Sequence, residues 1–156
     1  MRRVLEIAIV IIVCYAFAGG AAAGGGNFRT HCQGGNEVPP VTTQGQCQAI
    51  FKLTDGGSGL EYKLVVANIE FVTQAHIHLA PAGQNGGVVA FLFGFVPEGA
   101  TVNGTLAQGI LTDADLVGAL AGMTIADLVA ELEAGNAYVN VHTQAHPPGE
   151  VRGQIH

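Results

Sequence analysis

The residues best suited to chemistry are His76 and His78, which lie one position apart in the run QAHIHL. In a β-strand, alternate side chains point to the same face, so the two imidazoles share one side of the strand. Ala75 and Ile77 point to the other side, which is the natural core face. We therefore expect both histidines to face away from the core, toward water or a covering loop.

The run AYVNVHT places a third histidine in the same way, because Val139 and Val141 form its core face and His142 points away. If the two strands pair, His76, His78 and His142 meet on the outer wall of a sheet. Neutral imidazole is a good ligand for copper and zinc, so this pattern favours a metal site. The alternative, three exposed strand histidines with no ligand role, stays open. A fourth ligand remains open among His146, Glu150 and His31.

The first 18 residues have the pattern of a secretory signal peptide. A basic start precedes an apolar run over residues 7–18 that ends in the small-x-small tripeptide A-F-A. The run is shorter than the roughly 20 residues of a membrane span. We predict cleavage after Ala18, or as late as Ala23, with an uncleaved anchor as the alternative. Residues 19–27 then form a flexible Gly/Ala linker and residues 28–156 one secreted or periplasmic domain without a membrane span.

Two cysteines, Cys32 and Cys47, lie beyond this leader. In an exported chain an even pair indicates a disulfide. Free or metal-binding thiols are the alternative.

Period-two alternation predicts a mainly β domain. Residues 46–53 and 60–67 alternate on either side of the turn cluster TDGGSG, which indicates an antiparallel hairpin. Further strands are predicted at 28–33, 74–79, 88–93, 102–111, 137–143 and 149–155. Between them, TDADLVGALAG and TIADLVAELEAGN each begin with a Thr-x-x-Asp capping pattern, which predicts an inserted pair of short helices. Seven or eight antiparallel strands in one domain favour an immunoglobulin-like or Greek-key β-sandwich or barrel.

Composition argues against several function classes. Twelve acidic and six basic side chains give a formal net charge of −6, and an acidic surface repels the phosphates of nucleic acids. The single serine, Ser58, lies in a turn, and no nucleophile with a neighbouring base is evident.

Arg152 shares a strand face with Glu150, and we expect it to pair with a surface carboxylate.

Four stretches of the chain resemble the CHRD (chordin-type) domain family. They are GGNEVPPVTTQGQCQAIFKL, AHIHLAPAGQNGGVVAFLF, the run from GILTDADL to GNAYVNVHT, and GEVRGQI, and together they span most of residues 32–155. The resemblance implies an immunoglobulin-like β-barrel. Animal members of this family occur in a protein that sequesters a growth factor. The resemblance therefore also implies a non-catalytic module for binding or assembly, which acts with a protein partner or by self-association.

The A-H-I-H motif is also similar to a strand of copper/zinc superoxide dismutase, in which two outer-wall histidines hold copper. This second resemblance implies copper at His76 and His78, with His142 as the third ligand. The dismutase also has a bridging histidine and a zinc-binding loop rich in His and Asp. Residues 80–101, where they would fall, contain neither residue type. Copper or zinc binding is therefore the alternative function, and a dismutase-type redox enzyme is less favoured.

Overall fold

The computed structural model describes residues 26–156. The predicted signal peptide and residues 19–25 of the predicted linker lie outside the described residues. Within 26–156, no helix is both long and apolar enough to cross a membrane.

Eight strands form one antiparallel sheet, as the alternation predicted. They are Asn27–Gln33 (β1), Gln46–Leu53 (β2), Leu60–Ala67 (β3), Val72–Leu79 (β4), Gly87–Phe93 (β5), Gly104–Leu111 (β6), Ala137–Thr143 (β7) and Val151–Gln154 (β8). Their order is β5-β4-β7-β8-β1-β2-β3-β6. The sheet curls until its edge strands, β5 and β6, lie next to each other. The Tyr62 hydroxyl on β3 bridges the opening by donating to the Leu92 carbonyl of β5. The result is a nearly closed barrel with Greek-key-type crossovers.

The hydrophobic core lies inside this barrel and is formed by the side chains on one face of each strand. Cys47, Ala49 and Phe51 of β2 alternate with exposed Gln46, Gln48 and Ile50. Cys32 and Cys47 are opposite each other on β1 and β2 and form a disulfide with their Cα atoms 4.6 Å apart.

Of the two predicted helices, only the second is an α-helix. Ile125–Glu133 is an α-helix (α1) whose buried face consists of Ile125, Leu128 and Leu132. The preceding stretch forms two short 3-10 turns, at 113–115 and 118–120. Leu116 between them has extended backbone and forms a β-bridge with Ala90 of β5, and Gly118 adopts a φ of +59°. Pairing with the sheet therefore overrides the helical period at this point.

Three loops cover the outer face of β4 and β7: residues 34–45, 80–86 and 144–150. Asn85 of the second donates from Nδ2 to the Val38 carbonyl of the first, and the Gly86 N–H donates to the Tyr138 hydroxyl on β7. Gly86 passes so close to Leu79 that an added Cβ would collide with the Leu79 carbonyl. This covering layer places a second buried region outside the barrel core.

Candidate metal centre

The structure brings His76, His78 and His142 together. β4 pairs with β7 so that His76 lies opposite Asn140 and His78 opposite Tyr138, which puts His142 diagonally beside His76. One ring nitrogen from each histidine lies within 4.8 Å of the others. The closest pair, His76 Nδ1 and His142 Nε2, is 3.1 Å apart. The strand geometry read from the sequence thus leads to a compact three-histidine cluster.

The cluster faces away from the barrel core, but it is not open to water. His76, His78 and His142 are only 3%, 8% and 5% exposed. Phe91 of β5 packs edge-on against the His76 ring at 4.9 Å, and Tyr138 stacks on His78 at 4.9 Å. The expected outer-wall placement is correct. Of the two expected surroundings, water or a covering loop, the structure has covering loops, together with aromatic rings.

Backbone carbonyls fix the orientation of two of the rings. His78 Nδ1 lies 3.0 Å from the Gly86 carbonyl, and His142 Nδ1 lies 2.9 Å from the Pro147 carbonyl. A carbonyl only accepts, so each Nδ1 carries the proton and donates it. Each Nε2 therefore carries a lone pair, as in metal-binding histidines whose second nitrogen is held by the protein. The lone pair of His142 Nε2 faces His76 Nδ1 at hydrogen-bonding distance, and that of His78 Nε2 has no partner.

The donor set fits a first-row metal. Nitrogens bound to one tetrahedral zinc ion stand roughly 3.3 Å apart, close to the 3.1 Å between His76 Nδ1 and His142 Nε2. His78 Nε2 is buried and makes no hydrogen bond, and the same is true of His76 Nε2. Leaving a buried polar atom unpaired costs about 1–3 kcal/mol, and a bound ion removes that cost for the nitrogen that coordinates it.

Burial keeps the three imidazoles neutral. Desolvation, helped by neighbouring His142 and His78, lowers the pKa of His76 to about 3. Burial lowers the pKa of His78 as well, against the opposing effect of its hydrogen bond to Gly86. Burial also lowers the pKa of His142, against its bond to Pro147. Neutral imidazole is the form that binds metals, so protons compete weakly for this site near neutral pH.

Arg152 holds the loop that orients His78. Its side chain is 2% exposed, its guanidinium lies 3.4 Å from the centre of the Tyr138 ring, and it donates to Asn85 Oδ1 and to the Gln84 carbonyl. The expected surface pair with a carboxylate is wrong. Loop 80–86 folds over β8 and turns this outward position into a buried one. Arg152 of β8 thereby holds the loop whose Gly86 carbonyl orients His78.

Glu37 and Asn140 are polar residues of this region whose role is not evident from the sequence. Both are buried, and Asn140 Nδ2 lies 3.4 Å from Glu37 Oε2. Burial raises the pKa of Glu37 to about 7, although the nearby Arg152 charge opposes the shift. Glu37 lies in the N-E-V-P-P motif, but an irregular loop has no periodicity from which burial could have been predicted.

The three candidates for a fourth ligand lie outside the three-histidine cluster. His31 is exposed on β1. Glu150 accepts hydrogen bonds from Thr43 and Thr143 through its two oxygens. His146 is half-buried in the β7–β8 loop, where it lines a cavity together with His78. His146 therefore shares a cavity with one histidine of the cluster.

Comparison with known proteins identifies a family for this chain. The CHRD domain family model matches residues 28–155, which is nearly the whole described chain. This chain belongs to the CHRD domain family. Among curated proteins, this CHRD domain is similar to Chordin of Xenopus laevis, with 32% identity over 127 residues. That alignment covers 76% of this chain but only 12% of the relative's length. No solved structure matches the CHRD chain.

Proposed function

We propose that this CHRD domain is a non-catalytic module that binds copper or zinc through His76, His78 and His142. The observation that carries the proposal is the convergence of three buried, neutral imidazoles within 4.8 Å, with His78 Nε2 unpaired. When bound, the metal supplies a rigid link between β4 and β7. The protein fixes the rings through the carbonyls of Gly86 and Pro147.

We further propose that the domain works outside the cytoplasm, in the extracellular space or the periplasm. The Cys32–Cys47 disulfide supports this location, since structural disulfides persist in oxidising compartments.

A non-catalytic role is supported by the chemistry of the described residues. Ser58 is exposed in the β2–β3 turn, and both Cys32 and Cys47 are tied up in the disulfide.

The metal proposal is tested by titrating the purified protein with Cu(II) and with Zn(II) in a calorimeter. We expect one ion per chain with submicromolar affinity. A His76→Ala/His78→Ala variant should lose at least about 100-fold in affinity, because two of three ligands are gone. His31→Ala removes an exposed imidazole on β1 and serves as the matched control. Equal affinity in all three proteins would refute the proposal.

A superoxide-scavenging assay of the copper-loaded protein distinguishes a binding module from a dismutase-type enzyme. We expect activity no greater than that of the His76→Ala/His78→Ala variant under the same copper load. Activity that depends on the intact cluster would show that the module is a redox enzyme.

A second candidate function is protein binding or self-association. It is favoured by Phe71, Phe91 and Phe95, which are about half exposed or more and all lie on or beside β4 and β5. Exposed aromatic side chains are typical of interaction surfaces. Analytical ultracentrifugation over a concentration range tests self-association, and Phe95→Ser should weaken any dimer that forms.

A further inference from the structure

A cavity of about 250 Å³ opens between the three covering loops, beside the three-histidine cluster. Residues 37–39, 41, 85–86, 146 and 148–149 contribute to its walls, and His78, Tyr138 and Asn140 come from the strands beneath. The cavity is separate from the barrel core.

Two buried oxygen atoms in this cavity make no hydrogen bond: Glu37 Oε1 and Asn140 Oδ1. Their side chains are only 6% and 3% exposed. Both oxygens lie close to Gly149: a Cβ added there would lie 2.8 Å from Glu37 Oε1, 2.5 Å from Asn140 Oδ1 and 2.6 Å from Asn140 Nδ2. Two acceptors therefore converge beside Gly149, where no larger residue fits.

Within residues 26–156, neither oxygen has a hydrogen-bond partner of its own, although the Val38 N–H lies near the Glu37 carboxyl group. Arg152 is close enough to act on the Glu37 charge, but its guanidinium donates to the loop that carries Gln84 and Asn85. Asn140 Nδ2 approaches the other carboxylate oxygen, Oε2. Unpaired buried acceptors are costly, so the arrangement calls for a group that brings hydrogen-bond donors.

We propose that this cavity binds a primary ammonium group carried on a small apolar body, such as a free alkylamine or the first residue of a peptide. An ammonium group offers three N–H donors and no acceptor, which matches two converging acceptors, one of them a carboxylate. Val38, Pro39 and Pro148 line the same cavity and give the apolar body a surface to pack against. The proposal does not rest on the metal.

The test is titration of the purified protein with n-butylamine in EDTA, followed by backbone amide NMR shifts. We expect saturable shifts at Glu37, Asn140 and Gly149, and alanyl-alanine amide should give the same shifts if a peptide end is accepted. Glu37→Gln keeps the shape of the side chain but removes its charge, and it should weaken binding by about 10-fold or more. Glu61→Gln makes the same change on the exposed face of β3 and should leave binding unchanged.

Two further probes keep the proposal falsifiable even if the Glu37 variant fails to fold. N,N,N-trimethylbutylammonium has the charge and body of butylamine but no N–H donor, and 1-butanol has the body but no charge. Neither should bind as tightly as butylamine. Equal binding of all three, or no saturable shift with butylamine or the peptide amide, would show that the cavity holds solvent only and would overturn the proposal. Because EDTA is present throughout, either result is independent of the metal titration.

Discussion

At the residue scale, the three histidines owe their properties to what covers them rather than to the strands that carry them. β4 and β7 turn the rings away from the core, while Phe91, Tyr138 and the loop carbonyls of Gly86 and Pro147 remove them from water. Burial lowers their pKa values, and the loop carbonyls orient their lone pairs. The same three imidazoles, left exposed, would bind metal weakly and without a defined geometry.

Arg152→Lys should disturb the metal site although residue 152 contacts no ligand atom. Lysine keeps the charge but lacks the planar fork that holds both Asn85 and the Gln84 carbonyl. We expect a loss of about 2 kcal/mol in the free energy of unfolding and roughly 10-fold weaker metal binding, as for other outer-shell changes. Urea denaturation and calorimetry measure the two effects. Arg29→Lys, on the exposed face of β1, is the control, and unchanged metal affinity in Arg152→Lys would contradict the positioning role.

Glu37→Gln should change how stability depends on pH. The folded pKa of Glu37 is raised to about 7 from an ordinary value of 4.5, so the folded state holds the proton more tightly than the unfolded state. The stabilisation is present below pH 4.5 and is lost as pH rises through 7, by about 2 kcal/mol once solvent screening is allowed for. The variant, which does not titrate, should therefore gain stability relative to wild type as pH rises from 4.5 to 8. Urea denaturation at the two ends of this range tests the prediction, and parallel stability curves for the two proteins would refute it.

At the element scale, the strands were predictable because each has one apolar face. β2, β3 and β7 begin and end at the predicted residues, since apolar and polar side chains alternate along most of each strand. The prediction was wrong where local capping competed with pairing. Thr112 and Asp115 form a capping box, yet the chain behind it forms only 3-10 turns because Leu116 joins the edge of β5.

Thr124→Ala should destabilise helix α1. Thr124 forms a capping box with Asp127 at the start of α1, and the helix buries Ile125, Leu128 and Leu132 against the sheet. We expect a loss of about 1 kcal/mol in the free energy of unfolding, the usual cost of removing such a cap. Thermal or urea denaturation measures it. Thr42→Ala, in the exposed part of the β1–β2 loop, should cost much less, and equal losses would argue against a capping contribution.

At the scale of the whole molecule, the barrel and its outer layer depend on a few long-range links. The disulfide joins the paired strands β1 and β2. On its other side, β1 pairs with β8 where Gln33 lies opposite Arg152. Arg152 in turn holds loop 80–86 over the histidines. The pairing of β1 with β8 is thus connected to the candidate metal centre through Arg152 and loop 80–86.

Reduction of the Cys32–Cys47 disulfide should lower the melting temperature. Cross-linking residues 15 apart contributes about 3 kcal/mol in the chain-entropy model, which corresponds to a shift of roughly 10 °C for a domain of this size. Differential scanning calorimetry with and without a reductant measures the shift. A Cys32→Ala/Cys47→Ala variant should melt like the reduced protein. An unchanged melt with both thiols open to alkylation would show that the cross-link does not stabilise the fold.

The sequence by itself determined the β class, most strand positions, the disulfide pair and the side of the sheet on which the histidines lie. The strand positions and the side of the histidines follow from short-range periodicity, because an apolar face must be buried and its opposite face need not be. The disulfide follows from an even pair of cysteines in a chain expected to be exported. Only the tertiary structure decided that the three rings converge and are buried, that Arg152 lies beneath a loop, and that Glu37 and Asn140 share a cavity. Those features arise where irregular loops fold over strands that are distant in sequence, and no local pattern specifies that packing.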